Sequence, residues 1–389
     1  MNARKQDQDA RFFHLAGLIF LLTCCIFLVQ ACEDGGKENG ATPDTPPLHL
    51  ATGHGPEEKT SLSAAEQPSH IETEKAGEAG KITIGLAMGT LREERWRKDR
   101  DMFKAAAEAL GAEVKVAAAN EDDSLQIRQV EALISQGIDI LVIVPHNAET
   151  AATVVEKAHA SGIKVIAYDR LVNNSEIDLY VSFDNERVGE LQAEAITQMV
   201  PTGKYVYIGG AETDYNSHLF KKGAFRVLQP YIDRGDIRIV YDQWSTDWSP
   251  AVAQRNMEEA LIANHGQIDA VIAANDGTAG GVVKALEAHG LAGSIPLAGM
   301  DADLSAVQRI VDGTQSMTVY KPIEALSARA ARLAVQMAQG EDVVAERFMH
   351  NGRVEVPSIL LPPLAVDQSN LDETIIADDF HSREEVYRE

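Results

Sequence analysis

Cysteine is scarce in this sequence and is confined to the beginning of the chain. Only Cys24, Cys25 and Cys32 occur among 389 residues, so the part that follows them contains neither a disulfide nor a thiolate metal site. That part must be stabilised by its hydrophobic core, and the chain is long enough to form two lobes.

Positive charge is also in short supply. The sequence has 59 acidic residues against 35 lysines and arginines, which gives a formal net charge of -24. A surface of this sign repels phosphate backbones and anionic lipid surfaces. We therefore predict that nucleic acid is not a partner. A two-lobed repressor is excluded as well, because the N-terminus carries no basic helix-turn-helix.

Catalytic motifs are missing from the sequence too. No glycine-rich phosphate loop follows a predicted strand, no histidine pair has metal-binding spacing, and no serine lies in a nucleophile elbow. The carboxylate pair Asp301 and Asp303 does not establish a glycosidase, and we expect Asp303 to cap the helix that follows it. We therefore predict a protein that is not an enzyme and uses no metal or cofactor.

The N-terminus has the features of an export signal. Basic residues precede an apolar run over 15–29, and Ala31 stands directly before Cys32. The run VQAC at 29–32 resembles a bacterial lipoprotein cleavage box, so we predict that 1–32 is a lipoprotein signal peptide and that Cys32 is lipidated. The alternative is an uncleaved membrane anchor, because 12–29 nearly reaches the ~20 apolar residues that span a bilayer. Both interpretations place the rest of the chain in the periplasm or at the cell surface.

The segment 33–80 is rich in Gly, Pro, Ser, Thr, Glu and Ala and has almost no aromatic or clustered apolar residues. Such a composition cannot bury enough apolar surface to fold. We predict a disordered tether.

From Lys81 onward, short β-branched apolar runs alternate with segments of helical periodicity, which is typical of βαβ units around parallel sheets. The predicted strands are 82–88, 114–118, 140–144, 165–168, 205–208, 237–241, 270–273, 296–298 and 316–319. The predicted helices are 96–110, 125–136, 148–160, 188–199, 216–231, 250–264 and 278–289, several of which end in glycine. This pattern predicts an α/β protein with doubly wound parallel sheets.

Two features indicate that the chain crosses between lobes more than once. An extra extended stretch lies at 178–183, and a long Ala-rich helix to about 339 is followed by extended segments near 354–361. We predict a first lobe of 81–185 with 325–361, a second lobe of 186–321 with 364–389, and a hinge of several strands between them.

Polar side chains stand just beyond successive predicted strands, where ligands bind in open parallel sheets. A sugar requires carboxylates and amides for its hydroxyls, cations as donors, and flat aromatic rings against its C–H faces. Trp96 and Trp248 hang from different predicted lobes and could sandwich one ring. The candidate ligand residues are Arg95, Trp96, Asp169, Arg170, Asp214, Asn216, Trp248, Asn275, Asp301 and Lys321.

Each of these residues also has an ordinary structural interpretation. Asp169 and Asp301 follow strands, where an aspartate commonly caps a helix. Arg95 lies in a charged stretch that could be a solvated helix start, and Trp244 is best read as a packing anchor. The joint occurrence of these residue types at strand ends is what favours a ligand site.

Five runs of the chain resemble the periplasmic sugar-binding proteins of ABC importers, and within that family its D-xylose-binding members. They are LREERWRKDRD at 91–101, VIAYDRL at 165–171, VSFDNERVGE at 181–190, ANDGTAGG at 274–281 and TQSMTVYKP at 314–322. The resemblance extends from about Lys81 to the C-terminus. It implies the periplasmic binding protein type I fold with a three-stranded hinge and a single buried pentose in the cleft.

The resemblance also implies that the ten candidate residues contact the sugar, with Lys321 at the hinge. One position departs from the family pattern: Lys221 stands where the xylose binders have an arginine, which exchanges a bidentate fork for a point charge. Lys221 completes the predicted ligand set. No run of oxygen ligands matches the calcium loop of glucose and galactose binders.

We therefore predict a monomeric, lipid-anchored binding protein that delivers a monosaccharide, D-xylose above all, to an ABC permease. Two alternatives remain open. The ligand could be another pentose or hexose, and the chain could be a sugar-sensing ectodomain that signals to a chemoreceptor or kinase.

Overall fold

The structure is a computed structural model that describes residues 81–388. The predicted signal peptide 1–32 with Cys32 and the predicted tether 33–80 lie outside the described residues. Within 81–388 the strands are numbered β1–β13 in chain order and fall into two sheets.

The first sheet contains seven strands. They are β1 (Thr83–Met88), β2 (Glu113–Ala118), β3 (Ile140–Val144), β4 (Lys164–Tyr168), β5 (Leu179–Phe183), β11 (Arg347–His350) and β12 (Glu355–Leu361). Their spatial order is β11-β12-β5-β4-β3-β1-β2, and only β11 runs antiparallel to its neighbour.

The second sheet contains six strands. They are β6 (Gly203–Ile208), β7 (Ile237–Gln243), β8 (Ala270–Ala273), β9 (Leu297–Ala298), β10 (Met317–Tyr320) and β13 (Leu364–Asp367). Their spatial order is β13-β10-β9-β8-β6-β7, and only β13 is antiparallel.

Helices connect the strands and cover the sheets. They are α1 (Glu94–Ala109), α2 (Asp123–Ser135), α3 (Ala152–Ala160), α4 (Asn185–Met199), α5 (Tyr215–Asp233), α6 (Pro250–Ala263), α7 (Asp276–Ala288), α8 (Leu304–Val311), α9 (Ile323–Ala338) and α10 (Arg383–Tyr387). A short 3-10 turn covers Thr246–Trp248, and a π-helical turn covers Asp372–Ile376. None of the helices in 81–388 is long and apolar enough to span a membrane.

Both faces of each sheet are buried, which explains why the central strands are continuously apolar rather than alternating. In β3, Ile140, Val142 and Val144 pack into one apolar cluster, while Leu141 and Ile143 pack into another cluster on the opposite face. The second sheet is likewise flanked by two clusters of its own. The predicted α/β class with two doubly wound parallel sheets is confirmed.

The chain passes between the two sheets three times. The passages run from β5 to β6 through α4, from β10 to β11 through α9, and from β12 to β13 directly. The last passage is the shortest, because only residues 362 and 363 separate β12 from β13.

The structure adds elements that the sequence pattern did not predict. Strands β11 and β13 are four-residue edge strands. Most of β11 is exposed and only one residue of β13 is buried, so neither strand has the buried apolar run of a central strand. After β13, Leu371, Ile375 and Phe380 of the segment 368–388 pack into the apolar cluster that joins core residues of the first sheet to residues of α8 such as Val307. Helix α3 begins at Ala152 rather than 148, since the residues before it form turns.

Candidate functional site

A cavity lies where the carboxyl ends of the strands of both sheets face each other. About 310 Å³ of space between its lining side chains and at its opening is not filled by protein atoms. All its lining residues except Glu93 are buried. The complete lining consists of Glu93, Arg95, Trp96, Asp169, Arg170, Asp214, Asn216, Phe220, Trp248, Asn275, Met300, Asp301 and Lys321.

Ten of the predicted ligand residues therefore meet around one cavity, and Lys221 is not among them. The Lys221 ammonium lies instead 2.7 Å from Asp242 and 4.7 Å from the centre of the Trp244 ring. Trp244 does not line the cavity either; its indole packs against His218. Lys221 and Trp244 thus form a separate, partly exposed cluster.

Arg95 is the most heavily paired cation of the cavity. Its Nε donates to Asp99 at 3.0 Å, its Nη2 donates to Asp169 at 2.8 Å, and its Nη1 donates to Asp301 at 3.2 Å. Burial disfavours the charged guanidinium, but the three carboxylates outweigh burial and raise the pKa of Arg95 well above its usual range. Arg95 therefore stays charged and joins α1, which packs on the first sheet, to the loop after β9 of the second.

Two further ion pairs complete the polar wall of the cavity. Nε of Arg170, which follows β4, lies 2.7 Å from Asp214, which follows β6. Nζ of Lys321, which follows β10, lies 2.8 Å from Asp301. Because all these groups are buried, each charge is satisfied by an opposite charge rather than by solvent.

The carboxylates of the cavity differ in their electrostatic surroundings. Burial would raise the pKa of Asp169, but Arg95, Lys321 and Arg170 together lower it below its usual value. Burial raises the pKa of Asp214, and Arg170 offsets only part of that rise. Asp169 is thus the more strongly stabilised anion of the two.

Backbone conformation aims Asp169 and Asp301 at the cavity. Their backbone φ angles are +60° and +100°, values that residues other than glycine rarely adopt. Neither residue caps a helix, so the helix-cap interpretation does not apply to them. Asp303 does occupy the N-cap of α8, but its carboxylate makes no capping hydrogen bond, which corrects that expectation.

Two lining residues do cap helices while facing the cavity. The Asp214 carboxylate accepts from the backbone N–H of Asn216 at 3.0 Å at the start of α5. Asn275 forms a capping box with Thr278 at the start of α7, and its Nδ2 has no hydrogen-bond partner among residues 81–388. Capping fixes each side chain and leaves part of its polar group for a ligand.

The two indoles come from opposite sides of the cavity. Trp96 belongs to the core cluster of the first sheet, and the guanidinium carbons of Arg95 and Arg170 lie 4.2 Å and 5.0 Å from its ring centre. Trp248 belongs to the core cluster of the second sheet, and its Nε1 donates to Asp214 at 3.2 Å. Gly210 makes room for Trp248, since a Cβ atom there would lie 2.2 Å from the indole.

Four residues of the site or its support did not stand out in the sequence. Phe220 is one helical turn beyond Asn216, and Asp99 is one turn beyond Arg95, so i,i+4 spacing from a candidate could have found both. Met300 directly precedes Asp301. Glu93 lies two residues before Arg95, and no pattern distinguishes it from the neighbouring acidic residues.

No cluster of three or more His, Cys, Asp or Glu side chains in the described part of the chain is arranged to hold a metal ion. The cavity instead presents carboxylate and amide oxygens, cationic donors and two indoles. Such a set can hydrogen-bond a ring of hydroxyls and cover its C–H faces. The fold and the cavity are those of a two-lobed solute-binding protein.

The chain belongs to the periplasmic binding protein domain family, whose pattern matches residues 84–342. It is 51% identical over 306 residues to the D-xylose-binding periplasmic protein of Haemophilus influenzae, a match that covers 79% of this chain and 92% of the relative. It is 48% identical over 318 residues to the protein of the same name from Escherichia coli, covering 82% and 96% of the two chains. The resemblance inferred from the sequence is confirmed.

A solved structure agrees with this assignment. The carbohydrate transporter solute-binding protein of Chloroflexus aurantiacus, in complex with D-glucose, superposes with a TM-score of 0.73 at 31% identity, covering 78% of this chain and 98% of the other.

Proposed function

We propose that this chain is the extracytoplasmic substrate-binding component of a sugar ABC transporter and that it binds D-xylose in the cavity between its two sheets. The observation that carries the proposal is the convergence of ten polar and aromatic candidates from both sheets on one buried cavity. The D-xylose-binding relatives, about half identical over most of their length, favour this sugar over others.

In this proposal the lobes are 81–185 with 325–361 and 186–321 with 364–389, joined by the three passages between the sheets. The carboxylates Asp169, Asp214 and Asp301 accept sugar hydroxyls, while Arg95, Arg170, Lys321 and the Asn275 amide donate to the ring and hydroxyl oxygens. Asn216 lines the same wall, and its amide donates to the backbone carbonyl of Asp169 at 2.9 Å. Trp96 and Trp248 cover the faces of the ring. Lys221, paired with Asp242 outside the cavity, is left out of the set.

The proposed role is capture and delivery without chemical change. Every ionised group among the ten candidate residues is held by a partner of opposite charge, which suits binding rather than proton transfer. We further propose that Cys32 carries a lipid that anchors the protein outside the cytoplasm, on the basis of the apolar run and the small residue before it.

Calorimetry with the full-length chain and a panel of pentoses and hexoses tests the proposed function. We expect one-to-one binding of D-xylose and no change in the sugar recovered afterwards. Trp248→Ala should weaken binding by about 2 kcal/mol or more, because it removes a buried aromatic contact; Trp244→Ala, outside the cavity, is the matched control. Absence of binding by any monosaccharide, or turnover of a sugar, would contradict the proposal.

A further inference from the structure

Glu93 occupies a boundary position in the site. It lines the buried cavity and also the groove outside it, together with residues of α8 such as Leu304 and Gln308. It is the one lining residue that is only partly buried. Glu93 therefore stands at the mouth of the cavity, at the N-cap of α1.

The two oxygens of the Glu93 carboxylate differ in their partners. Oε1 accepts from Nη2 of Arg92 at 2.6 Å. Oε2 is buried, and it has no hydrogen-bond partner among the described residues. The side chain makes no capping hydrogen bond either, so helix capping does not explain the position of Oε2.

A buried carboxylate oxygen without a donor is costly, because it has lost water and gained nothing in return. The other charges of the cavity are paired within the protein: Arg95 with Asp169 and Asp301, Arg170 with Asp214. Glu93 pairs with Arg92 through Oε1, but its buried Oε2 is left without a donor, and Glu93 lines both the cavity and the groove outside it.

The charge of the lining points to the kind of ligand that supplies the donor. The lining carries four carboxylates, from Glu93, Asp169, Asp214 and Asp301, against three cations, from Arg95, Arg170 and Lys321. Glu93 therefore adds an acidic group at the mouth of the cavity, where Arg92, outside the lining, pairs with Oε1 and leaves Oε2 without a donor. An uncharged hydroxyl fits this position, whereas the carboxylate of a sugar acid would be repelled.

We infer that Glu93 is a specificity-determining residue: its Oε2 accepts one hydroxyl of an uncharged sugar at the mouth of the cavity. This inference rests on the proposed function and adds a contact that the ten candidate residues do not provide. A hydroxyl bound to a carboxylate makes a short, charge-assisted hydrogen bond, so the contribution should be measurable for one hydroxyl of the sugar and for no other.

The test is calorimetry of the full-length wild type and of Glu93→Leu with D-xylose and with each of its monodeoxy derivatives. We expect Glu93→Leu to bind D-xylose about ten- to a hundredfold more weakly, the range expected for a hydrogen bond to a charged group. For the derivative that lacks the hydroxyl facing Glu93, wild type and variant should bind within about twofold of each other. Glu93→Gln, which keeps an acceptor but loses the charge, should recover part of the affinity.

Glu108→Leu is the matched control, since Glu108 is an exposed glutamate of the same helix α1, and it should bind every sugar as the wild type does. The inference fails if Glu93→Leu binds D-xylose unchanged, as expected for a carboxylate satisfied by water alone. It also fails if the variant weakens binding of all derivatives by the same factor, which is the signature of a structural effect. Failure of the wild type to bind any monosaccharide would instead refute the proposed function and this inference with it.

Discussion

At the scale of single residues, Asp99 supports the site without lining it. Asp99 is buried on α1, accepts two hydrogen bonds from the Arg95 guanidinium, and accepts a third from the Tyr168 hydroxyl at 2.5 Å. Burial raises the pKa of Asp99, and Arg95 opposes that rise. Asp99 thereby holds the guanidinium in the orientation in which its other nitrogens reach Asp169 and Asp301.

We predict that Asp99→Asn weakens sugar binding by about tenfold, because the amide replaces a charged partner of Arg95 and one of its polar atoms can no longer accept. Calorimetry with the full chain measures the effect. Asp101→Asn is the control, since Asp101 pairs with Arg100 on the exposed side of the same helix. Equal affinities of the two variants would contradict the supporting role of Asp99.

Asp276 is a second buried carboxylate with an unusual environment. It accepts hydrogen bonds from Gln315 at 2.7 Å, from Thr318 at 2.8 Å and from the backbone of Asp303 at 3.1 Å. Burial nevertheless raises the pKa of Asp276 to about 7, against the opposing charge of Arg309. The folded protein therefore holds the Asp276 proton more tightly than the unfolded chain does.

This difference predicts that the Asp276 contribution to folding stability decreases as pH rises from about 4 to about 7. In that interval the folded state binds more protons than the unfolded state, so the free energy of unfolding falls with pH. The Asp276 share is on the order of 4 kcal/mol for a pKa raised by about three units. In urea unfolding at several pH values, the wild type should lose stability relative to Asp276→Asn as pH rises through this interval, and parallel curves would contradict the assignment.

The sequence predicted the candidate residues of the cavity more reliably than the side chains with which they pair. Asp169, Asp301 and Arg95 were recognisable because they follow strands, and the strand positions follow from the apolar runs. The arrangement of three carboxylates around Arg95 could not be recognised from the sequence. Asp99, Asp169 and Asp301 are separated by up to 202 positions in the chain and meet only through the tertiary fold. Lys221 shows that closeness in sequence is not enough, because it lies near Asn216 in the chain but does not line the cavity.

At the scale of elements, the packing of α4 against α5 depends on two glycines. A Cβ atom on Gly189 of α4 would lie 1.8 Å from the carbonyl oxygen of Phe220, and one on Gly223 of α5 would lie 1.9 Å from that of Glu186. These distances involve backbone atoms, which cannot move aside as a flexible side chain does. The helices therefore approach closely only because both positions lack a side chain, and the approach places Asn216 and Phe220 of α5 beside the cavity.

We predict that Gly189→Ala destabilises the protein by about 3 kcal/mol, the upper part of the usual cost of overpacking. The matched control is Gly277→Ala in α7, where a Cβ atom would meet nothing closer than 3.5 Å, and where alanine should be neutral or slightly stabilising. Urea unfolding midpoints of both variants decide the matter. A Gly189→Ala variant as stable as Gly277→Ala would show that the helices can separate at little cost.

The same scale explains which elements the sequence predicted. Central strands such as β3 and β8 are apolar at every position because helices cover both faces, and their bounds were predicted to the residue. Edge strand β11 is largely exposed, so its pattern resembles a loop. The segment 368–388 carries isolated apolar residues that become core only because distant helices surround them.

At the scale of the whole molecule, the cavity is bridged by ion pairs between groups that follow strands of different sheets. Arg95 reaches Asp301, and Arg170 reaches Asp214. Arg92, at the mouth, also donates to the backbone carbonyl of Asp247. No sequence pattern predicts such contacts, because they depend on how closely the chain brings its two halves together across the three passages.

The burial of the cavity leads to a kinetic prediction. Since all lining residues except Glu93 are buried, a sugar reaches the cavity only when the two halves separate, and binding must include closure as a second step.

The chain's three tryptophans supply the fluorescence signal for a test, because Trp96 and Trp248 line the cavity. Stopped-flow fluorescence of the full-length chain should therefore give an observed rate that levels off as the D-xylose concentration rises. Trp244→Phe should leave the signal change intact, because Trp244 lies outside the cavity. An observed rate that increases linearly to the highest concentrations would mean that the sugar enters without any rearrangement of the two halves.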